Sequence, residues 1–527
     1  MSDYACDWRS YGHIAFQERG SVALEADYVV VGSGPGGSGA ALVLARAGFE
    51  VCVVEAGPWR DPGDYPESML GAMRDMMPDW GATVAVGDSI MPIVQAAVVG
   101  GGTVINSAIM VRTPDDVLAD WRERHGLGDL FDERAMGLQH DAVDRELAVQ
   151  RTPEGANFGS NNAMLLSALQ RRQLGGKAIL RNVVGCQGSS SCLQGCRAGA
   201  KQSANLGWLP EVIARGGTVI SCARVDRVVF ERGVAVGVRG RSRHPRTRVL
   251  GAAVDVRARR GVVIAASAVQ TPLILQRSGI RLPALGRHWR VHPGAAVVGV
   301  YDHPVDMQRG ATQGTASVHF RDGIAIQDGR PIAGTGENGI KIESLALPLE
   351  LLAGRAAGAG QALIERLRDA RHQAVWISAV RAEAEGTCRL GLFGQADVRY
   401  KPTQRDLRAL RAGSHLLAAL HFESGARLVR PGVVGLPAEI APDQLPLLAE
   451  APLDNRCWTW VLSHLFGGAV MGNDPQRSVV APDLHVRGVR RLHVACAAAL
   501  PTTLGVNPQH TILAVARILA ERLANGA

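Results

Sequence analysis

A stretch near the N-terminus, residues 28–58, constrains the fold of this chain more than any other. A short apolar run over residues 28–31 predicts a buried parallel strand, and the small residues 40–47 predict a helix. The segment between them forms a Gly-x-Gly-x-x-Gly motif from Gly32, Gly34 and Gly37. In such a motif the first glycine permits a tight turn, the second lets the backbone approach a pyrophosphate, and the third lets the helix lie close to the sheet.

The acidic residue expected after this motif is also present. A second strand, predicted over residues 50–54, is followed by Glu55, about 20 residues after the first glycine, as the fingerprint requires. Its carboxylate can accept hydrogen bonds from a ribose 2′-hydroxyl, which the 2′-phosphate of NADP would forbid. Together these features predict a dinucleotide-binding site, and a glycine-rich loop without a ligand is the less favoured alternative.

The composition is that of an ordinary globular protein. Of the 527 residues, 46% are hydrophobic and 20% are charged, and the length predicts two domains or one large elaborated unit. The formal net charge is +8, and much of the surplus lies in residues 239–260, which we interpret as a solvated β-hairpin. A docking face for an acidic partner is the alternative. Nucleic acid is not expected, because no aromatic residues interleave these arginines.

The sequence shows neither a secretory signal nor a membrane span. The N-terminus has no basic region followed by an apolar run, and no apolar stretch reaches the about 20 residues needed to cross a bilayer. Nine cysteines, an odd number scattered along a long chain, are not the pattern of a disulfide scaffold. These features predict a soluble, cytoplasmic protein without a transmembrane segment.

A second glycine-rich segment, residues 97–113, is a further candidate for contact with the dinucleotide. Three consecutive glycines at 100–102 are followed by Thr103 and Asn106. Backbone amides in such a loop can point at a phosphate or at a flat isoalloxazine ring, because glycine permits close approach. A glycine-rich connection without a ligand is the alternative. The candidate contacts are Gly101, Gly102, Thr103 and Asn106.

Three cysteines lie within eleven residues of a Gly- and Ser-rich segment: Cys186, Cys192 and Cys196. Clustered thiols on a turn are typical of a metal or iron–sulfur site, and three thiolates could hold a [3Fe–4S] cluster. A local disulfide, or three thiols packed on a buried loop, are the alternatives. The spacing by itself does not decide among them.

The C-terminal end carries two further polar candidates. His464 follows a predicted apolar strand and precedes a glycine turn, and Asn507 precedes Pro508 at the start of a helix predicted over residues 510–523. A single histidine is more often structural than catalytic, and a polar residue before proline is often only an N-cap. Further upstream, His288 and His292 are interpreted as structural residues or as neighbours of the active site, because no acid or cysteine lies at metal spacing.

Several segments of the chain resemble, in their order, motifs of the glucose–methanol–choline (GMC) family of flavin oxidoreductases. They are residues 29–41 with Glu55, 99–110, 262–280, 463–472 and 505–516. The resemblance runs from residue 27 to the C-terminus and is weakest over residues 301–452. It implies an enzyme that binds FAD and oxidises an alcohol, sugar or sterol. It also implies that His464 is the active-site histidine and that Asn507 occupies the family's second position, which is either His or Asn.

The expected fold class is α/β, with a discontinuous Rossmann-type FAD-binding domain over residues 25–115, 186–300 and 456–527. An α+β substrate-binding or cap region, built on an antiparallel sheet, is expected over residues 116–185 and 301–455. Within the latter, strands are predicted at 316–320 and 374–382 and helices at 345–355 and 404–420. Val225 and Pro508 are further candidate cofactor contacts.

Two departures from the family pattern affect the expected cofactor site. Cys496 stands where the family commonly has an aspartate that helps to hold the FAD phosphates, and Gly468 stands where threonine is common. The cysteine spacing is similar to that of bacterial FAD-dependent glucose dehydrogenase catalytic subunits, which carry a [3Fe–4S] cluster. That similarity implies electron transfer from flavin to cluster to an external acceptor.

The resulting hypothesis is oxidation of a small-molecule alcohol whose hydroxyl lies between His464 and Asn507. His464 accepts the hydroxyl proton or hydrogen-bonds the forming alkoxide, Asn507 orients the oxygen, and hydride passes to flavin N5. Electrons then pass to an external acceptor, with an electron-accepting protein or a small subunit as the candidate partner. The alternatives are an oxygen-using alcohol oxidase and a redox-silent FAD-containing lyase. An NAD-dependent dehydrogenase is disfavoured, because one nucleotide fingerprint leaves no second site.

Overall fold

A computed structural model of the protein describes residues 12–128, 130–334 and 336–526. Helices and strands are numbered in chain order. The helices are α1 Pro35–Arg46, α2 Met69–Met76, α3 Gly102–Ile105, α4 Asp115–His125, α5 Glu133–Glu146, α6 Ser160–Arg171, α7 Trp208–Ala214, α8 Ser267–Arg277, α9 Leu349–Arg355, α10 Gln361–Arg368, α11 Gln404–Glu423, α12 Pro446–Ala449 and α13 Gln509–Ala524. The strands are β1 His13–Ile14, β2 Ser21–Val31, β3 Val51–Val54, β4 Val84–Val86, β5 Ile90–Pro92, β6 Gln150–Arg151, β7 Lys177–Ala178, β8 Leu180–Arg181, β9 Thr218–Ile220, β10 Ala223–Glu231, β11 Val234–Arg243, β12 Leu250–Ile264, β13 Arg290–Val300, β14 Thr315–Ser317, β15 Ile324–Gln327, β16 Arg330–Ala333, β17 Ile340–Ser344, β18 Gln373–Val380, β19 Thr387–Leu390, β20 Ala396–Arg399, β21 Leu428–Arg430, β22 Val461–Phe466 and β23 Leu492–Val494.

The first large sheet contains the strands of the predicted nucleotide-binding layer. Its order in the described residues is β1-β9-β3-β2-β12-β11-β10, and β23 also pairs with β12. Neighbouring strands in the part of this order that reads β1-β9-β3-β2-β12 are parallel, and so are β12 and β23. Helix α1 packs against β2, β3, α7 and α13. The carboxyl ends of β2, β3, β12 and β23 therefore meet at one edge of the sheet, which is where such folds bind ligands.

The predicted strand–helix–strand unit at the N-terminus is confirmed by β2, α1 and β3. Strand β2 begins at Ser21, seven residues before the predicted start. Its first half alternates exposed and half-buried residues, and the strand extends over it because it pairs with β12 from Ser21 onward. The predicted passage from a strand into a helix over residues 262–280 is also confirmed, by the end of β12 and by α8.

A second large sheet is antiparallel throughout its described strands. Its order is β21-β13-β18-β17-β14-β7, and β22 also pairs with β13. Helix α11 packs against β13 and β18. The α/β fold class, with a Rossmann-type layer and an antiparallel substrate layer, is thereby confirmed. The domain limits given above stay a prediction.

The arginine-rich segment forms the predicted hairpin, in which β11 pairs antiparallel with β12. Several of its arginines already face carboxylates: Arg239 lies 2.7 Å from Asp255, and Arg259 lies 2.7 Å from Glu50. These exposed ion pairs neutralise part of the local charge, which favours a solvated surface over a docking face for an acidic partner.

One continuous apolar core joins the two large sheets, from Val29 in β2 to Trp376 in β18 and Leu416 in α11. The candidate site residues therefore lie on rigid elements and on the short turns between them. None of the described helices combines the length and the apolar character needed to cross a membrane.

Candidate functional site

The glycine motif forms the turn between β2 and α1. Gly32 has a φ of +96°, a conformation that favours glycine. A Cβ on Gly37 would lie 1.9 Å from the carbonyl oxygen of Gly32, and one on Gly36 would lie 1.8 Å from that of Ala495. Helix α1 can approach the sheet this closely only because these positions lack side chains. The free amides of its first turn face the edge where the strands end, which is a favourable position for a phosphate group.

Glu55 lies directly beneath this turn. Its Oε2 accepts hydrogen bonds from Ser33 N at 2.9 Å and from Ser33 Oγ at 2.7 Å, and its Oε1 accepts one from Gly57 N at 2.9 Å. Burial raises the pKa of Glu55, although these three donors oppose the shift. These three hydrogen bonds use three of the about four acceptor positions of a carboxylate, and the backbone amide of Ala56 competes for the fourth. Glu55 thus supports the glycine turn, and its contact with a ribose hydroxyl stays a prediction.

We expect Glu55→Gln to weaken FAD binding by about tenfold or more, because one carboxylate oxygen becomes an amide that faces a backbone donor, a change of about 1–3 kcal/mol. Titration of the apoprotein with FAD, followed by flavin fluorescence, measures the dissociation constant. Glu154→Gln, at an exposed position, is the matched control. Unchanged affinity in Glu55→Gln would remove Glu55 from the cofactor site.

The second glycine-rich segment packs onto the first. A Cβ on Gly101 would lie 2.5 Å from the Cα of Gly34, and the amide of Gly100 donates to Ser33 Oγ at 2.9 Å. Gly102 begins the short helix α3 and not the loop that the sequence indicated, and a Cβ there would meet open space. The two segments together form a cradle of backbone amides free of side chains, which fits the pyrophosphate and flat ring of FAD.

The remaining predicted cofactor contacts are distributed around this cradle. Thr103 Oγ1 donates to Gly100 O at 2.7 Å, which stabilises the glycine segment. Asn106 Oδ1 accepts from Ala108 N at 2.9 Å, and its Nδ2 donates to Gln509, next to Pro508 at the start of α13. Val225 is buried in β10, two residues after Ala223, whose amide donates to Glu55 O at 2.8 Å. Their contact with a cofactor stays a prediction.

Of the two departures from the family pattern, Cys496 has the clearer structural consequence. Its thiol is buried 3.3 Å from Thr271 Oγ1, and burial raises its pKa. It therefore carries no charge at pH 7 that could replace an aspartate. Gly468 adopts a φ of +88° beside Pro272, so a threonine there would be strained.

The two predicted catalytic residues lie side by side. His464 Nε2 is 3.2 Å from Asn507 Nδ2. His464 lies within β22 and not after a strand, because β22 continues to Phe466 through its pairing with β13. Burial lowers the pKa of His464 to about 4, so the imidazole is neutral at pH 7. A neutral imidazole and an amide can both hydrogen-bond a substrate oxygen.

Three further polar side chains join this pair. The sequence predicted His292 as a structural residue or a neighbour of the active site, whereas Lys341 and Glu343 were not predicted to lie there. His292, on β13, places Nδ1 3.3 Å from His464 Nδ1. Lys341 and Glu343 form a buried ion pair on β17, with Nζ 2.6 Å from Oε1, and Lys341 Nζ also contacts Asn507 Oδ1. Residues 341 and 343 face the same way because side chains alternate along a strand. This alternation is the one local sequence signal that could have predicted that Lys341 and Glu343 lie on the same face of the strand.

The three clustered cysteines do not fit a [3Fe–4S] cluster. Within the described residues no group of three or more potential metal-ligating side chains is brought together. Cys192 Sγ instead accepts a hydrogen bond from Arg181 Nη2 at 3.1 Å, and Cys196 packs with Ala108 and Ala200. Burial opposes ionisation of Cys192, but the cations of Arg181 and Lys201 lower its pKa overall. Of the alternatives left open by the spacing, thiols packed on a largely buried loop fit best.

The GMC oxidoreductase family model matches residues 73–294 with its N-terminal part and residues 392–516 with its C-terminal part. An uncharacterized GMC-type oxidoreductase of Mycobacterium tuberculosis is 34% identical over 504 residues, covering 94% of this chain and 75% of the relative. A long-chain-alcohol oxidase of Arabidopsis thaliana is 24% identical, covering 96% of this chain and 68% of the relative.

Among solved structures, a formate oxidase of Aspergillus oryzae superimposes with a TM-score of 0.72 at 16% identity, covering 95% of this chain and 98% of the other. At that identity the likeness establishes the fold alone. The family model and the 34% identical relative establish the family as well. This chain belongs to the GMC family of FAD-dependent oxidoreductases.

Proposed function

We propose that this protein oxidises an alcohol to an aldehyde or ketone, using FAD held by the two glycine segments and Glu55. The observation that carries the proposal is the side-by-side position of His464 and Asn507, 3.2 Å apart. Asn507 is followed directly by Pro508 and α13, whose Gln509 receives a hydrogen bond from Asn106 of the second glycine segment. A substrate oxygen held by the pair would therefore lie next to the cofactor cradle.

In this proposal His464 and Asn507 bind and orient the hydroxyl group. The neutral imidazole and the amide offer directional hydrogen bonds, and both side chains are held by further contacts, so little reorganisation is needed on binding. FAD supplies the acceptor for hydride when it is bound. In this proposal the neutral imidazole of His464 accepts the hydroxyl proton.

A long-chain alcohol is the first substrate class to test. A relative that matches 96% of this chain is named a long-chain-alcohol oxidase, whereas the solved relative is named a formate oxidase. Both names contain oxidase, so oxygen is the first electron acceptor to test, with an electron-accepting protein or small subunit as the second candidate. The proposal contains no iron–sulfur step, because the cysteine loop does not fit a cluster.

The experiment is anaerobic mixing of the FAD-bound protein with primary alcohols of increasing chain length. We expect the oxidised flavin absorbance to bleach with a long-chain alcohol and to return on admission of oxygen. Bleaching without reoxidation by oxygen would favour a different electron acceptor. No bleaching by any alcohol would contradict the proposed activity and favour a redox-silent lyase. Iron and acid-labile sulfide measured on the same sample check the cysteine assignment, since a matched excess over flavin would contradict it.

A further inference from the structure

The hairpin of β19 and β20 ends in a turn, residues 391–394, that carries two apolar side chains at the protein surface. Leu392 and Phe393 are each 89% exposed, more than any other large apolar side chain in the described residues. Single exposed apolar residues are common on protein surfaces and need no explanation. Two adjacent ones at the end of a hairpin form a contiguous apolar point, which we call the hairpin tip.

The turn is held in its conformation by hydrogen bonds that involve only the backbone and polar side chains. Gly394 N donates to Gly391 O at 2.9 Å, and Gly391 N donates to Gln395 O at 2.8 Å. The side-chain oxygen of Gln395 accepts from Phe393 N at 3.0 Å, and Arg277 Nη2 of α8 donates to Gly394 O at 2.6 Å. The tip is therefore pre-organised for contact with a partner, which lowers the entropy cost of binding.

Arginines lie beside the hairpin tip. Arg389 is exposed in β19, two residues before the turn. Helix α8 packs along β19, and its Gln276 Oε1 accepts a hydrogen bond from Leu390 N at 3.0 Å. The exposed Arg281 follows this helix, and its Nη1 donates to Gln276 O at 3.1 Å. Arg281 and Arg389 therefore lie near the same end of the hairpin.

These arginines differ from other surface arginines of the chain because they have no acidic partner. Among the described residues, no carboxylate oxygen lies within 4.0 Å of the guanidinium nitrogens of Arg277, Arg281 or Arg389. In the arginine-rich hairpin, by contrast, Arg257 lies 3.3 Å from Glu231. The positive charge beside the tip is therefore available to an anionic partner.

Nearby carboxylates reduce this positive charge without removing it. Burial and the cation of Arg224 lower the pKa of Arg277, and Asp226 opposes the shift. Asp397, on the neighbouring strand β20, is already paired with Arg399 at 2.7 Å. The arginines around the tip thus outnumber the unpaired carboxylates, and the surface keeps a net positive charge.

We propose that the hairpin tip docks this protein on a membrane surface that contains anionic lipids. Leu392 and Phe393 enter the boundary between head groups and acyl chains, while Arg281 and Arg389 face the lipid phosphates. This binding is peripheral, in keeping with described helices that cannot cross a membrane. The inference goes beyond the proposed oxidation and does not depend on it, because neither substrate nor cofactor takes part.

The small size of the tip favours a lipid surface over a protein partner. A stable protein–protein interface buries about 800 Å² on each side, whereas one aromatic side chain buries about 150–250 Å². Two side chains at the end of a hairpin fall short of that area. A lipid surface has no such minimum, since fluid head groups rearrange around a small apolar insertion. The unpaired arginines add an attraction to anionic lipids that weakens as salt rises.

Cosedimentation of the FAD-bound protein with lipid vesicles tests the proposal. We expect binding to phosphatidylcholine vesicles that contain about 30% phosphatidylglycerol, weaker binding to phosphatidylcholine alone, and loss of binding as salt rises. The double substitution Leu392→Ser with Phe393→Ser should lower the partition coefficient by about tenfold or more, because apolar burial is lost. Arg389→Gln should lower it by about fivefold, the effect of one charge near an anionic surface.

Two substitutions at matched positions serve as controls. Leu138→Ser removes an apolar side chain that is 60% exposed in α5, and Arg257→Gln removes an exposed arginine that already pairs with Glu231. Both variants should bind vesicles like the wild type. Flavin content and the midpoint of thermal unfolding should stay unchanged in all of these variants, because every replaced side chain is exposed.

Three results would overturn the proposal. The first is unchanged vesicle binding in the Leu392→Ser/Phe393→Ser variant, or no binding of the wild type to the anionic vesicles. The second is binding that Arg389→Gln abolishes and the double substitution leaves intact, which would assign the arginines to an acidic partner. The third is a wild-type dimer in size-exclusion chromatography that the double substitution converts to a monomer, which would assign the tip to a second copy of the chain.

Discussion

Replacing His464 with alanine is expected to lower turnover on an alcohol by roughly 10²-fold or more, while the flavin stays bound. The side chain hydrogen-bonds Asn507 and His292 and so has both a substrate-facing and an anchored nitrogen. Alanine removes the directional hydrogen bond to the substrate oxygen. Flavin content should persist, because the glycine cradle and Glu55 lie on other elements.

Steady-state kinetics and the ratio of flavin to protein absorbance measure the two parts of this prediction. His485→Ala is the matched control, since the half-exposed side chain of His485 pairs with Asp483 and not with a residue of the candidate site. A variant with unchanged turnover would remove His464 from the mechanism. Loss of flavin in parallel with activity would show that the histidine supports the fold of the site and not the chemistry.

Replacing Gly37 with alanine is expected to produce a destabilised protein that retains little FAD. The added Cβ would lie 1.9 Å from Gly32 O and 3.2 Å from Ala265 Cβ. The first contact is with backbone, so the clash is relieved only by moving α1 away from the sheet. Such overpacking typically costs about 1–3 kcal/mol, and the shift also misplaces the amides that face the pyrophosphate.

Flavin content after purification and the midpoint of thermal unfolding test this prediction. Gly137→Ala is the control, because a Cβ at that position in α5 would meet no atom within 4 Å. That substitution should stabilise the protein slightly, since alanine is the better helix former. If Gly37→Ala kept a full complement of FAD and an unchanged midpoint, the close approach of α1 would not matter for binding.

Local order along the chain was enough to predict the strand–helix–strand unit that contains the glycine turn. Gly32, Gly37 and Glu55 carry a fingerprint in which each residue's physical role depends on near neighbours, and the structure places them at the end of β2, in α1 and just after β3. The antiparallel layer was also predictable, because alternating patterns mark strands even when their partners are unknown. Cys192 was a harder case: the spacing of three thiols is local, but its partner Arg181 is set by the fold.

The sequence by itself determined the family, the nucleotide turn and the identity of the candidate pair His464 and Asn507. Only the tertiary structure decided what surrounds that pair. His292 reaches His464 through the pairing of β13 with β22, and Lys341 reaches Asn507 across 166 positions of sequence. Contacts between elements distant in sequence leave no periodicity to detect. The polar network around His464 and Asn507 therefore forms only when the sheets are packed together.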